Sequence, residues 1–157
     1  MHTVKLPVNS FEFGIPKEGA ECMFVPLDAA TAAKVYSDAR EARLAAKNQR
    51  KAYKAGIAPQ VLSRTVQRCS MGKLHMYDKY CIFKYYNSYD SYVSRKFGYF
   101  YITEIVESPA HFKTSKEERS FKNKVYRLGL STVDLSERNL GRRNGKLVMI
   151  DFGHIST

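Results

Sequence analysis

The chain has 157 residues, 44% of them apolar and 13% aromatic, and this length and composition exclude a mainly disordered protein and favour one folded domain. No apolar run is long enough to span a membrane, the N-terminus lacks the apolar core of a signal peptide, and three cysteines without metal-type pairing favour reduced thiols in a cytoplasm. The net charge of +11 predicts attraction to polyanions: nucleic acid, acidic proteins or nucleotide phosphates.

A hairpin and a short strand are predicted first. Residues 11–25 have the pattern of strand, turn and strand, with Gly19 in the turn. After a turn at Asp28, residues 31–36 alternate Lys34 with apolar neighbours. A lysine in such a place is usually an edge-strand residue, so its position in the chain decides whether it has a further role.

Residues 37–55 form the clearest predicted helix, capped by Ser37 or Asp38 and ended by Gly56. Basic side chains share one face at about 100° per residue, and small side chains lie opposite. Glu41 lies beside the small face, either as a solvated first-turn glutamate favoured by the helix dipole or as a partner for a lysine on the sheet. The basic residues are Arg40, Arg43, Lys47, Arg50, Lys51 and Lys54.

The middle of the chain is dense in tyrosine and lysine. A predicted strand at 60–68 is followed by residues 70–96, where basic residues interleaved with aromatics could stack on nucleic-acid bases. A twisted β-hairpin is the commoner structure for such a stretch. Residues 99–107 are then a strong strand, and Ser115 with Glu118 forms a capping-box pattern that predicts a second helix.

The stretch from 130 to 153 holds three polar residues whose chemistry suits phosphoryl transfer. One carboxylate can orient and deprotonate a hydroxyl, while an amide oxygen and a second carboxylate can hold magnesium. Asn144-Gly145 predicts a tight hairpin turn, so two short strands would bring the three together, although a hairpin with chance acids is the alternative. The three residues are Asp134, Asn139 and Asp151.

The pattern D-L-x-x-x-N followed by D-F-G resembles the catalytic loop and metal-binding segment of the protein-kinase-like superfamily. The preceding elements are similar in order to those of that family, from Gly19 to Gly153. The resemblance implies an α+β, protein-kinase-like fold. Its N-lobe, residues 1–107, would be a five-stranded antiparallel sheet with one long helix, and residues 108–157 would form an abbreviated C-lobe.

The resemblance also implies roles for the residues of the chemistry. Asp134 would be the catalytic base, and Asn139 and Asp151 would be magnesium ligands. Lys34 would contact the α- and β-phosphates of ATP, and Glu41 would orient Lys34.

For the nucleotide, the resemblance assigns Gly19 to the phosphate-covering hairpin, which keeps only this glycine in the best alignment. Thr103 would be the gatekeeper, and backbone groups of Glu104 and Val106 would hydrogen-bond adenine. ATP and Mg²⁺ are therefore the implied cofactors.

Two departures from the family are plain. Thr132-Val133 stands before Asp134 where typical protein kinases have His-Arg, so activation through a phosphorylated loop is not expected. Only four residues follow D-F-G in this sequence. We expect a compact kinase of the sort that some bacteriophages encode, a kinase completed by a partner or a second copy, or a kinase-like binder with reduced catalysis.

We therefore expect ATP- and Mg²⁺-dependent transfer of a phosphoryl group to a hydroxyl, on a protein, in the cytoplasm or in the host cytoplasm if the chain is viral. The alternative is a non-catalytic, pseudokinase-like protein that binds an acidic partner through its basic surface. Nucleic-acid binding through residues 70–96 is the weaker third hypothesis, and no membrane partner is expected.

Overall fold

A computed structural model describes residues 2–6, 17–18, 22–79, 82–86, 92–130 and 135–152. Within these ranges the chain forms ten short strands, two α-helices and two 3-10 helices. The strands are β1 (Thr3–Val4), β2 (Lys17–Glu18), β3 (Met23–Pro26), β4 (Thr31–Tyr36), β5 (Gln67–Ser70), β6 (Lys84–Tyr86), β7 (Tyr92–Ser94), β8 (Phe97–Glu104), β9 (Leu140–Arg143) and β10 (Lys146–Met149). The helices are α1 (Ala39–Lys54), α2 (Ser115–Arg127) and the 3-10 helices Gly72–Tyr77 and Glu137–Asn139.

The main sheet contains six strands in the order β1-β5-β8-β4-β3-β2, and the pairs β6-β7 and β9-β10 are separate two-stranded sheets. The α+β class is confirmed, but the prediction of a five-stranded, wholly antiparallel sheet is wrong. β1 adds a sixth strand and runs parallel to β5, with Thr3 opposite Arg68. Arg68 Nε also donates to Thr3 Oγ1 at 2.9 Å. A two-residue strand is too short for an alternating pattern to reveal it.

The chain divides into two compact units. The first comprises Met1–Arg43 and Leu62–Thr103, and the second comprises Leu44–Val61 and Glu104–Thr157. The apolar core of the first unit lies on one face of the main sheet, because alternate residues of each strand point to that face. Its members include Met23, Val25, Ala33, Val35, Cys69, Met71, Leu74 and Phe100.

Helix α1 agrees closely with its prediction. Asp38 Oδ1 accepts a hydrogen bond from the Arg40 amide at 2.6 Å, so Asp38 is the cap. Gly56 follows the helix with φ of +79°, and its amide donates to the Tyr53 carbonyl at 2.9 Å. The buried face contains the predicted alanines and two amides that the sequence did not single out: Ala42, Ala45, Ala46, Asn48, Gln49 and Ala52.

Helix α2 begins one residue earlier than its capping pattern indicated. The cap is Thr114, whose Oγ1 accepts from the Glu117 amide at 3.0 Å. Glu117 Oε1 in turn accepts from the Lys113 amide at 2.8 Å. The predicted pair of Ser115 and Glu118 is therefore replaced by Thr114 and Glu117, because two consecutive hydroxyl residues are each followed three positions later by a glutamate.

Arg142 of β9 joins the β9–β10 hairpin to helix α2. Its guanidinium donates to both oxygens of Glu117, at 2.8 and 3.1 Å, and to the carbonyl oxygens of His111 and Gly145, at 3.0 and 3.1 Å. These bonds from Arg142, together with the Lys113 amide, lower the pKa of Glu117 from 4.5 to about 2. The hairpin is thus held to α2 by a bidentate ion pair.

Glu117→Gln is expected to lower the free energy of unfolding by about 1 kcal/mol at pH 7, since the pair is partly exposed. The folded pKa lies below the ordinary value, so this stabilisation is present above about pH 4.5 and declines as pH falls towards 2. Urea unfolding at pH 7 and pH 3 should show a smaller difference between wild type and variant in acid. Glu118→Gln, which removes the exposed pair with Lys122, is the control. An equal difference at both pH values would contradict the assignment.

Candidate functional site

The two predicted magnesium ligands lie at one end of the β9–β10 hairpin, in the second unit. The Ile150 amide donates to the Asn139 carbonyl at 2.9 Å, which continues the ladder one step beyond the Met149–Leu140 pair. Asp151 follows Ile150 directly, and both Asn139 and Asp151 are partly exposed. The backbone of Asn139 is thus paired with Ile150, the residue that precedes Asp151.

The turn itself explains the register of this hairpin. Asn144 and Gly145 have φ of 51° and 78°, the positive values that a tight two-residue turn requires at both positions. Arg143 consequently pairs with Lys146, and each later pair follows in step. The predicted turn is confirmed, and it fixes which residues meet at the far end of the hairpin.

Gly141 lets this hairpin pack closely against the segment after β8. A Cβ at position 141 would lie 2.7 Å from Val106 Cγ2 and 2.8 Å from the Glu107 carbonyl oxygen. The Arg142 amide donates to the same carbonyl at 2.8 Å, forming a single bridge between the two segments. Gly141 was not among the residues predicted from the sequence, although glycine inside a strand often marks a close backbone approach.

Glu104, one of the predicted adenine-binding residues, is held by several neighbours in the second unit. Its amide donates to the Gln60 carbonyl at 3.0 Å, and its carboxylate accepts from the Gln60 amide at 2.7 Å and pairs with Arg143 Nε. The Arg143 guanidinium also lies over the Tyr53 ring, 5.3 Å from its centroid. Within the described ranges, the backbone of Val106 makes no hydrogen bond.

Lys34 and Thr103 lie on the same face of the main sheet, in the first unit. Lys34 is only 5% exposed, and its Nζ lies 5.9 Å from the ring centroid of Tyr101. Tyr36 stacks on the same ring with 6.1 Å between centroids. Thr103 is buried two residues after Tyr101 on β8, so its side chain points to that face. This face is opposite the apolar core formed by residues such as Val35.

Glu41 is exposed in the first turn of α1, and among the described residues it makes no ion pair with Lys34. The predicted Lys34–Glu41 contact is thus not formed in this structure. Asn48, further along the same helix, is 1% exposed, and neither of its amide atoms has a hydrogen-bond partner among the described residues. Such a buried amide needs an explanation, because an unsatisfied polar group is costly.

Gly19 and Asp134 lie outside the described residues, so the phosphate-covering loop and the catalytic base stay predictions. The described ranges contain no group of three or more histidine, cysteine or acidic residues able to hold a metal ion. A magnesium site at Asn139 and Asp151 would need only an amide and a carboxylate oxygen, because this ion takes its other ligands from phosphates and water. That donor set fits Mg²⁺.

Comparison with protein-family models finds no match to this chain, and a search among curated proteins finds no matching sequence. In the parts of the chain that the structure describes, no helix has the length and apolar character needed to cross a bilayer.

Proposed function

We propose that this chain is an ATP- and Mg²⁺-dependent phosphotransferase of the protein-kinase-like kind. It would transfer the γ-phosphoryl group to a protein hydroxyl, in a cytoplasm that keeps its thiols reduced. The observation that supports the proposal is the backbone hydrogen bond between Ile150 and Asn139, which pairs Asn139 with the residue just before Asp151. Two oxygen donors at one end of a hairpin are what a magnesium–nucleotide complex needs from a protein.

The sheet supplies a second, independent support. Lys34 occupies a buried position on β4 where a solvated edge-strand lysine would be exposed. A positive charge held on that face suits the phosphates of a nucleotide, because a fixed cation stabilises the charge that moves during transfer. Thr103, on the same face, keeps its predicted gatekeeper role in this proposal.

In the proposed reaction one proton is transferred, one bond forms and one bond breaks. The hydroxyl of the substrate loses its proton to the Asp134 carboxylate, its oxygen bonds to the γ-phosphorus, and the bond from that phosphorus to ADP breaks. Asn139 and Asp151 would hold the magnesium, whose chemistry is to neutralise phosphate charge. Lys34 would hold the α- and β-phosphates in position, so that catalysis depends mainly on orientation and charge.

Thermal shift with ATP, with and without Mg²⁺, tests this proposal. A ligand at about 100 times its Kd stabilises by about 2.7 kcal/mol, or roughly 5–10 °C for a domain of this size. We expect this shift in wild type only with Mg²⁺, and we expect its loss in Asp151→Ala. Asp134→Ala should keep the shift but lose transfer to a generic protein substrate. A shift that is equal in Asp151→Ala and wild type would contradict the magnesium site.

The second candidate is a non-catalytic protein that binds an acidic partner. Helix α1 favours it, because the alanine face is buried while Arg43, Lys47 and Lys54 are exposed. Binding of that kind should survive Asp151→Ala and weaken when Arg43, Lys47 and Arg50 are neutralised together. The same thermal-shift experiment separates the two candidates, since a scaffold without a nucleotide site gives no Mg²⁺-dependent shift.

A further inference from the structure

A cavity of about 530 Å³ lies in the first unit, beside the β6–β7 hairpin and the start of α1. Its size is within the range of small-ligand sites, about 300–1,000 Å³. The lining combines exposed cations with aromatic rings, in the tyrosine- and lysine-rich part of the chain that the phosphotransferase proposal leaves unused. The main lining residues are Tyr85, Arg95, Lys96, Phe97 and Tyr99.

Guanidinium groups stack on two of the rings at this cavity. Arg95 Cζ lies 5.0 Å from the Tyr85 centroid, and Arg68 Cζ lies 4.5 Å from the Phe97 centroid. Tyr85 is 44% exposed and Phe97 is 37% exposed, so both rings remain open to solvent. Flat cationic and aromatic layers of this kind are surfaces on which another planar group can stack.

The backbone that carries these side chains is firmly held. The Arg95 amide donates to the Phe83 carbonyl at 2.7 Å, and the Met71 amide donates to the Lys96 carbonyl at 3.0 Å. The His75 ring also donates from Nε2 to the Arg95 carbonyl at 2.9 Å. The side chains of Arg95 and Lys96 are exposed, and among the described residues neither makes an ion pair, although the Arg95 guanidinium lies over the Tyr85 ring. A ligand would therefore meet a preorganised surface.

The charge of the lining selects an anion. Among the described residues that line the cavity, Arg95 and Lys96 are the cations and Asp38 is the one acid. Asp38 is already engaged as the cap of α1, where its Oδ1 accepts from the Arg40 amide. Phosphates at the cations and planar groups at the rings together describe a nucleic acid. A duplex hides the faces of its bases, whereas a single strand offers them for stacking.

We propose that this cavity binds single-stranded nucleic acid, with backbone phosphates at Arg95 and Lys96 and bases stacked at Tyr85 and Phe97. These contacts are made to phosphate groups and to the faces of bases. Because RNA and DNA both have these groups, the surface accepts both. This inference does not depend on the phosphotransferase proposal.

Fluorescence anisotropy with labelled dT and rU 12-mers, titrated between 50 and 200 mM salt, tests the proposal. An oligonucleotide of this length is about as long as the stretch that one such surface binds, or longer. We expect similar affinity for both oligonucleotides and a loss of affinity with salt. The Arg95→Ala/Lys96→Ala double variant should bind at least about 10-fold more weakly, and its log–log salt slope should be shallower by about 1.4, or about 0.7 per lost phosphate contact.

Stacking is tested separately from charge. Tyr85→Leu should weaken binding about 5-fold or more with an unchanged salt slope, because it removes a stacking ring and no charge. Tyr85→Phe keeps the ring and should bind like wild type. Thermal melting of each variant, followed by far-ultraviolet circular dichroism, checks that the fold is retained.

The matched charge control is Lys116→Ala/Arg119→Ala on α2, which removes two exposed cations from the second unit. Equal weakening in this control would overturn the proposal in favour of general charge attraction. Absence of binding at 50 mM salt would also overturn it. Competition by polyglutamate as effective as by oligonucleotide, with Tyr85→Leu unaffected, would assign the surface to an acidic protein instead.

Discussion

Lys34→Met is expected to reduce phosphoryl transfer by about 10²- to 10³-fold while the protein remains folded. Methionine has nearly the length and shape of the lysine stem, so it can fill the same space on β4 beside Tyr101. The change removes the positive charge, which in our proposal stabilises the nucleotide phosphates in the transition state. The loss should therefore appear in the rate of transfer at saturating ATP as well as in nucleotide affinity.

The retained fold is the critical part of this prediction. Lys34 is 5% exposed, and a buried charge carries a desolvation cost that methionine does not. We expect the free energy of unfolding to fall by no more than about 3 kcal/mol, the usual limit for a single substitution. Urea unfolding checks this, and Lys122→Met, at an exposed pair on α2, is the control for transfer. Unchanged transfer in Lys34→Met would exclude this lysine from the phosphate site.

Signals within a few residues of one another predicted their structures well. The Asn144-Gly145 turn, the Asp38 cap and the stop at Gly56 all depend on backbone groups that lie next to them in sequence. Such effects do not need the rest of the fold, because the turn or cap geometry is settled locally. The pairing of Asn139 with Ile150, the residue before Asp151, follows from the turn by counting along both sides of the hairpin.

Structure that depends on distant partners could not be predicted in this way. β1 pairs with β5 across more than sixty positions, and the sequence near Thr3 carries no sign of it. Glu117 similarly appears as an ordinary first-turn acid until Arg142 meets it from the hairpin. Gln60 binds Glu104 through two backbone groups, and the sequence does not predict this contact because the two residues are far apart in the chain.

In helix α1, which follows strand β4, the structure differs from what the family resemblance implies. The resemblance implies that Glu41 orients Lys34, whereas Glu41 lies exposed in the first turn of the helix. Asn48 and Gln49 are the buried polar residues of that helix, and only Gln49 has a described acceptor, the Pro59 carbonyl at 3.0 Å. Asparagine and glutamine carry no charge, so their presence on the alanine-rich face leaves the pattern of basic and small faces unchanged. Periodicity therefore did not single them out.

Gly141→Ala is expected to lower the free energy of unfolding by about 1–3 kcal/mol, because a Cβ there has no room. The new methyl group would approach Val106 Cγ2 to 2.7 Å and the Glu107 carbonyl oxygen to 2.8 Å. A side chain can rotate away, but a backbone oxygen that accepts from the Arg142 amide cannot move without breaking that bond. Strand β9 must therefore shift away from the segment after β8.

That shift should also weaken the nucleotide site. Gly141 lies two residues after Asn139, and Ile150, which bonds to Asn139, is the third neighbour of the added Cβ at 3.4 Å. Displacing β9 therefore moves a proposed magnesium ligand, so the Mg²⁺-dependent thermal shift with ATP should decrease by more than the lower stability alone explains. Gly145→Asn is the matched control, since its Cβ meets nothing within 4 Å and asparagine tolerates the positive φ. Wild-type urea unfolding in Gly141→Ala would show that the close approach is not needed. Lost stability with an intact nucleotide shift would instead separate the hairpin packing from the proposed site.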